Sequence, residues 1–161
     1  MSPIHVYTRL VLFSRKKLIN IYCLFIPSSA EYCSVVWHEN LTIAQFYAIE
    51  RLQVVALKIV LGKNCPRKDD GHCNYEELFR ACSSTSLLER RNSRMLSFGK
   101  KCSSHPTLSR MFPLNTEDNH NIQNLEVFHV YHARTMAYQN SAIPAVQRRL
   151  NQHYRSSHPT V

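Results

Sequence analysis

The sequence predicts a mainly α protein, a small irregular helical domain that leaves room for a short β strand or hairpin only near its C-terminus. Two observations predict this class. Apolar residues recur at steps of three and four along several stretches, the spacing that places them on one face of a helix. Two of these stretches open with Ser or Thr followed three positions later by Gln or Glu, which is the capping box of a helix start. With 161 residues, 44% of them hydrophobic, the chain can bury one modest core.

Helical spacing begins close to residue 16. The first predicted helix covers residues 16–26, and its apolar positions are Leu18, Ile19, Tyr22, Phe25 and Ile26. Pro27 is expected to stop or kink this helix, because proline has no N–H and its ring clashes with the preceding turn. A second, short helix is predicted from Ala30 to Trp37. Since it is apolar on more than one side, we expect it to be deeply buried.

The clearest element is a long helix that follows. Thr42 and Gln45 form a capping box, in which each side chain satisfies one N–H at the helix start. Gly62 supplies the positive-φ position that ends a helix. The predicted buried face consists of Phe46, Ile49, Leu52, Val55, Ala56 and Ile59.

Two further helices are predicted before residue 102. Asn74 can cap a short helix from Tyr75 to Cys82, and Ser86 with Glu89 opens a helix that ends near Lys101. A single turn is expected to anchor the loop after it, through the apolar residues Leu108, Met111 and Phe112.

The last third of the chain changes character. Residues 114–124 are polar and are predicted to be a flexible linker. A strand is predicted next, from the alternation of Val127, His129 and Tyr131. Pro144 fits the first turn of a final helix that ends near Tyr154. Residues 155–161 are predicted to be a disordered tail.

The charge balance favours a polyanionic partner such as RNA or DNA. The chain has 20 Lys and Arg against 11 Asp and Glu, a formal net charge of +9, and such an excess attracts phosphate backbones. Many of the basic residues fall on two predicted helices, which either track a phosphate backbone or are ordinary solvated faces. The nucleic-acid-binding candidates are Arg90, Arg91, Arg94, Lys100, Lys101, Arg148 and Arg149.

Polymerase chemistry lacks its carboxylates in this sequence. Phosphoryl transfer by two Mg²⁺ ions needs clustered carboxylates held by an apolar hairpin. The only adjacent pair of aspartates, Asp69-Asp70, lies in a hydrophilic loop between Lys68 and Gly71. We therefore predict no catalytic residue, and with 3 Gly in the chain a glycine-rich phosphate loop is nearly excluded.

Soft metal ligands gather around one loop without the spacing of a zinc site. The weak candidates are Cys65, His72, Cys73 and Cys82. The tight, repeated pairs of a zinc knuckle are missing. We predict no metal and no cofactor.

The thiol pattern and the apolar runs indicate the compartment. Six Cys are spread along the chain without the dense spacing of a secreted domain, and no signal peptide is recognisable. The apolar runs are shorter than the roughly 20 residues that span a bilayer. We expect an intracellular protein, cytoplasmic or nuclear, with free thiols and no membrane contact.

Several motifs occur in a fixed order. They are Asn20–Ile26, the Glu-Tyr-x-x-x-x-Trp-His pattern at Glu31–His38, Leu41-Thr42 with Gln45, Ile49–Gly62, Tyr75–Leu78, Ser86–Arg91, and Ala133–Thr135 with Tyr138–Pro144. Their order and spacing resemble the C-terminal, post-palm region of reverse transcriptases from non-LTR (LINE-like) retrotransposons. The resemblance runs from about Arg15 to Asn151.

The resemblance implies a parent protein that is an RNA-directed DNA polymerase, in which this region grips the template-primer duplex. It also implies a domain organisation. This comprises a poorly matching N-terminal segment at 1–14, a helical thumb-like region at 15–113, the linker at 114–124, a C-terminal strand-helix segment at 125–154 and the tail at 155–161.

The functional hypothesis is a non-catalytic fragment of such a transposable-element polymerase. Palm and fingers have no counterpart in this sequence, so we expect no enzyme activity and at most residual nucleic-acid binding. The alternative is a domesticated helical protein–protein interaction module, whose partner would bind the surface that a missing palm leaves. A zinc-dependent module ranks last.

Overall fold

The computed structural model describes residues 14–69, 71–115, 127–132 and 134–157. These residues form two compact units. Unit 1 consists of Thr42–Arg90 with the described residues up to Tyr32, and unit 2 of Cys33–Leu41 with the described residues from Arg91 onward. The described part is mainly helical and contains no strand, which confirms the predicted class.

Seven α-helices are present in the described residues. They are α1 (Arg15–Glu31), α2 (Ser34–Trp37), α3 (Ile43–Leu61), α4 (Tyr75–Ala81), α5 (Leu87–Ser103), α6 (Met136–Gln139) and α7 (Ala142–Ser157). Short 3₁₀ turns lie at His38–Asn40, Gly62–Asn64 and Leu108–Met111. No single helix of the described residues is long and apolar enough to cross a membrane; α1 and Ser34–Asn40 reach that length and composition only when taken together.

The predicted helix starts are confirmed. Thr42 and Gln45 form both hydrogen bonds of a capping box on α3. Ser86 and Glu89 do the same on α5, with distances of 3.2 Å and 3.4 Å. Asn74 Oδ1 accepts from the Glu77 N–H and so caps α4. Caps depend on residues three positions apart, and sequence alone therefore locates them.

Two predictions about the N-terminal helices are wrong. Helix α1 continues through Pro27 to Glu31, and Pro27 is buried inside it. The Ser28 hydroxyl donates back along the same helix to the carbonyls of Leu24 and Phe25. The expected helix from Ala30 to Trp37 is split by Cys33, which has a φ of 49°.

That second segment is also less buried than expected. Only the four residues Ser34–Trp37 form α2. Tyr32 and Val36 are 76% and 61% exposed. Apolar composition alone indicated burial here, but a four-residue helix has too few positions to bury all its sides.

Unit 1 packs α1 against α3 and α4. Its core is formed by Tyr22, Leu57, Val60, Leu61, Leu78 and Cys82. The predicted buried face of α3 is therefore wrong by about one residue: Leu52 and Val55 are 52% and 46% exposed, whereas Gln53 is fully buried. Gly62 ends α3 with a φ of 54°, as predicted.

Unit 2 packs α5 against α7 and the segment around Phe128. Its core is formed by Met95, Cys102, Phe112, Phe128, Ala145, Val146 and Leu150. Phe112 and Phe128 meet edge to face, with centroids 6.3 Å apart. The predicted turn is present at Leu108–Met111, and Leu108 and Phe112 pack into this core, whereas Met111 is 50% exposed.

The strand expected near residue 127 exists only as one bridge. Leu114 pairs antiparallel with Phe128, and Asn151 holds the Phe128 backbone through two hydrogen bonds of 2.9 Å each. Helix α7 has Pro144 in its first turn and extends to Ser157, beyond the expected end at Tyr154. Residues 116–124 of the predicted linker and 158–161 of the predicted tail lie outside the described residues, as do residues 1–13.

Candidate nucleic-acid interface

Arg90, the first of the predicted basic residues, neutralises a buried carboxylate in unit 1. Its guanidinium binds both oxygens of Glu31, through Nε to Oε1 and through Nη2 to Oε2 at 3.5 Å. The hydrogen bond to Glu31 raises the pKa of Arg90. Glu31 is only 1% exposed, and a buried carboxylate without its cation is costly. Arg90 therefore has a structural partner in place of a phosphate.

Arg91 is inaccessible to any polyanion. Its side chain is fully buried in unit 2, with Nε 3.2 Å from His38 Nδ1 and the guanidinium 5.8 Å from the centroid of Trp37. His38 Nε2 lies 3.2 Å from Asn92 Oδ1. Because Nδ1 accepts from Arg91, the ring proton belongs on Nε2, which donates to Asn92. His38 is thus a neutral acceptor for a buried cation.

Protonation of His38 is expected to destabilise unit 2. Burial, followed by the nearby Arg91 charge, lowers the pKa of His38 below the usual histidine value of 6.5. The unfolded chain then binds the proton more readily than the folded one, so stability is complete above pH 6.5 and is lost as the pH falls below it. We expect a decline of at most about 1.4 kcal/mol per pH unit.

Denaturant unfolding between pH 7.5 and 5 measures this dependence, in the wild type and in two variants. His38→Gln keeps one donor and one acceptor without titrating, and should unfold with a weaker pH dependence than the wild type. His132→Gln, at an exposed position, should follow the wild type. Parallel pH curves for wild type and His38→Gln would contradict the assignment.

The basic residues of α7 also have protein partners. Arg148 Nη1 donates to the Gln139 carbonyl at 2.6 Å. Arg149 Nη2 lies 3.5 Å from Glu39 Oε1, and both side chains are half-buried. These contacts fix the two guanidinium groups to unit 2.

Of the seven predicted candidates, the three that are exposed lie along α5. Arg94, Lys100 and Lys101 are all exposed. A shallow groove of about 670 Å³ runs along the same helix and is lined by Ser93, Leu96, Ser97, Lys100, Lys101 and Ser104. Serine hydroxyls and ammonium groups are both donors to phosphate oxygens. This groove is the candidate nucleic-acid interface.

Two features of the groove were not found from the sequence. Ser93, Ser97, Lys100 and Ser104 are spaced by four, three and four positions, which places them on one face of α5; this signal was available. His153 of α7 lies 3.0 Å from the Lys100 ammonium. That contact joins residues 53 positions apart, so no local sequence pattern predicts it.

The metal and carboxylate candidates do not come together. No group of three potential ligands occurs in the described residues. Cys65 and Cys73 are in contact, with 3.5 Å between their sulfur atoms, while Cys82 is buried in the core of unit 1. Asp69 is exposed, and Asp70 lies outside the described residues.

Comparison with known protein families, curated proteins and solved structures finds no match to this chain.

Proposed function

We propose that this chain is a non-catalytic piece of a retrotransposon-derived RNA-directed DNA polymerase, and that it retains binding of RNA or DNA through the α5 groove. The observation that carries the binding role is the pair of exposed lysines Lys100 and Lys101 beside the Ser93 and Ser97 hydroxyls, with Arg94 exposed on the same helix. The formal charge of +9 adds long-range attraction to any nucleic acid.

The parentage is supported by the way the resembling motifs contact one another. In unit 1, Glu31 of the Glu31–His38 motif binds Arg90 of the Ser86–Arg91 motif. In unit 2, Trp37 and His38 of the Glu31–His38 motif contact Arg91 of the Ser86–Arg91 motif. Residues that satisfy each other's charge and hydrogen bonds must be retained together, which favours treating the motifs as one set.

The binding role is tested by fluorescence anisotropy with a single-stranded RNA oligonucleotide at several salt concentrations. Each phosphate neutralised on a single strand contributes about 0.7 to the slope of log affinity against log salt. The double variant Lys100→Gln/Lys101→Gln should therefore bind more weakly and lose about 1.4 from that slope.

The control is Lys16→Gln/Lys17→Gln, which removes the same charge from two exposed lysines of α1. It should keep the wild-type slope. If both double variants lost the same amount from the salt slope, the binding would be general charge attraction and not a property of the groove. No binding by the wild type at low ionic strength, with the protein at millimolar concentration, would end the proposal.

Protein binding is the second candidate function, and one surface favours it. A groove of about 780 Å³ in unit 1 is lined by Tyr47, Glu50, Arg51, Val54, Val55, Lys58, Tyr75 and Phe79. Tyr47 and Tyr75 are 66% and 53% exposed, and exposed aromatic residues are typical of interfaces. The salt series separates the two functions, because apolar association persists at salt concentrations that abolish phosphate contacts.

A further inference from the structure

A pair of thiols lies at the base of a short hairpin in unit 1. Cys65 Sγ and Cys73 Sγ are 3.5 Å apart. Backbone hydrogen bonds close the hairpin between them, from Lys68 N to His72 O at 2.7 Å and from Asn74 N to Pro66 O at 3.0 Å. A disulfide needs sulfur atoms about 2.05 Å apart, so a small side-chain movement on this ordered hairpin is enough to join them.

Positive charge surrounds the two sulfur atoms. A depression of about 350 Å³ is lined by Lys58, Gly62, Cys65, Arg67, Gly71 and Cys73. It contains both thiols and two cationic side chains, and none of the described residues that line it is acidic. Burial and the neighbouring Cys65 thiol raise the pKa of Cys73, and Lys58 and Arg67 oppose that rise. The two cations also attract anionic reagents.

We propose that Cys65 and Cys73 form a reversible disulfide site whose substrate is an anionic low-molecular-weight disulfide, such as glutathione disulfide. This role is independent of the proposed nucleic-acid binding. One protein thiolate attacks a sulfur of the small disulfide, giving a mixed disulfide and one released thiolate. The second protein thiolate attacks the protein sulfur of that mixed disulfide and releases the second small thiol. One small disulfide is reduced to two thiols, and two protein thiols, having given up two protons, become one disulfide.

The other cysteines differ from this pair. Cys82 and Cys102 are only 7% and 5% exposed, so a small disulfide reaches them poorly, whereas Cys65 and Cys73 are partly exposed. Cys23 and Cys33 are exposed and provide internal controls. They are expected to take up the small thiol as mixed disulfides, which adds mass, whereas linkage of Cys65 to Cys73 removes two hydrogen atoms.

The test treats the native full chain with glutathione disulfide, quenches in acid, alkylates the remaining thiols and maps the peptides by mass spectrometry. Trypsin cuts after Arg67 and Lys68, which separates Cys65 from Cys73 unless a disulfide joins them. We expect this linked peptide pair in the wild type and in the control Cys23→Ser/Cys33→Ser. Cys65→Ser and Cys73→Ser should instead hold a stable glutathione adduct on the remaining cysteine of the pair.

Two outcomes would overturn the proposal. One is separate glutathione adducts on Cys65 and Cys73 in the wild type, and the other is alkylation of both thiols under conditions that modify Cys23 and Cys33. The charge preference has its own measurement, the rate with glutathione disulfide against the rate with the cationic disulfide cystamine. We expect a severalfold advantage for the anionic reagent that shrinks as salt is added, and that is smaller in Arg67→Gln. Equal rates at low salt would refute the preference.

Discussion

Replacing Gln53 by leucine is expected to lower the free energy of unfolding by about 3 kcal/mol. Gln53 is fully buried on α3. Its amide nitrogen donates to the Tyr22 hydroxyl at 2.7 Å and to the Thr85 carbonyl at 2.8 Å. Its amide oxygen accepts from the Leu87 N–H at 2.9 Å. Leucine has a similar volume, so packing is largely kept while these polar groups lose their partner, at about 1 kcal/mol or more each.

Urea unfolding of the wild type and variants measures this loss. Tyr22→Phe removes one hydroxyl from the same network and should cost about 1 kcal/mol. Gln152→Leu makes the identical exchange at an exposed position of α7 and should change stability by less than about 0.5 kcal/mol. If Gln53→Leu were as stable as the wild type, the buried amide would not organise unit 1.

Gln53 also shows why the predicted face of α3 was wrong. Hydrophobic periodicity treats glutamine as a surface residue and valine as a core residue. The structure buries Gln53 and leaves Val55 46% exposed. The hydrogen-bond partners of the Gln53 amide, Tyr22 and Leu87, lie 31 and 34 positions away. Because a buried amide needs partners for both its nitrogen and its oxygen, these contacts favour the orientation of α3 that turns Gln53 inward. The helix was predictable from sequence, but its orientation was not.

The candidate nucleic-acid interface was likewise predictable from sequence only in part. Arg90, Arg91, Lys100 and Lys101 are equivalent as sequence, since all are basic residues on one predicted helix. Their fates differ because Glu31 and His38, 59 and 53 positions away, bind the first two. Sequence reasoning found the helix that carries the exposed cations and could not separate them from the structural ones. The distinction depends on the burial of the partners Glu31 and His38, because Lys100 also pairs at long range, with His153, and is still exposed.

Replacing Gly99 by leucine is expected to lower the free energy of unfolding by about 3 kcal/mol, the upper end of the usual cost of overpacking a core. A Cβ atom at this position would lie 2.6 Å from Val146 Cγ1 and 2.9 Å from Leu150 Cδ1. Both neighbours are fully buried on α7. The absence of a side chain lets α5 approach α7 closely, and a leucine would have to displace the core of unit 2.

Variants that change the size of the side chain at Gly99, or that shorten its neighbour Val146, test this contact. Gly99→Ala should be milder than Gly99→Leu, because alanine places one carbon atom against α7 where leucine places four, and a gain of about 1 kcal/mol in helix propensity offsets part of the smaller clash. Val146→Ala removes the atom nearest to the new Cβ. Gly99→Ala/Val146→Ala should therefore be more stable than the sum of the two single losses predicts, with a coupling of about 1 kcal/mol.

Ser97→Leu, at an exposed position of α5, controls for a leucine added to the same helix and should cost less than about 0.5 kcal/mol. Strict additivity in the double variant would mean that close approach at Gly99 does not hold α5 against α7.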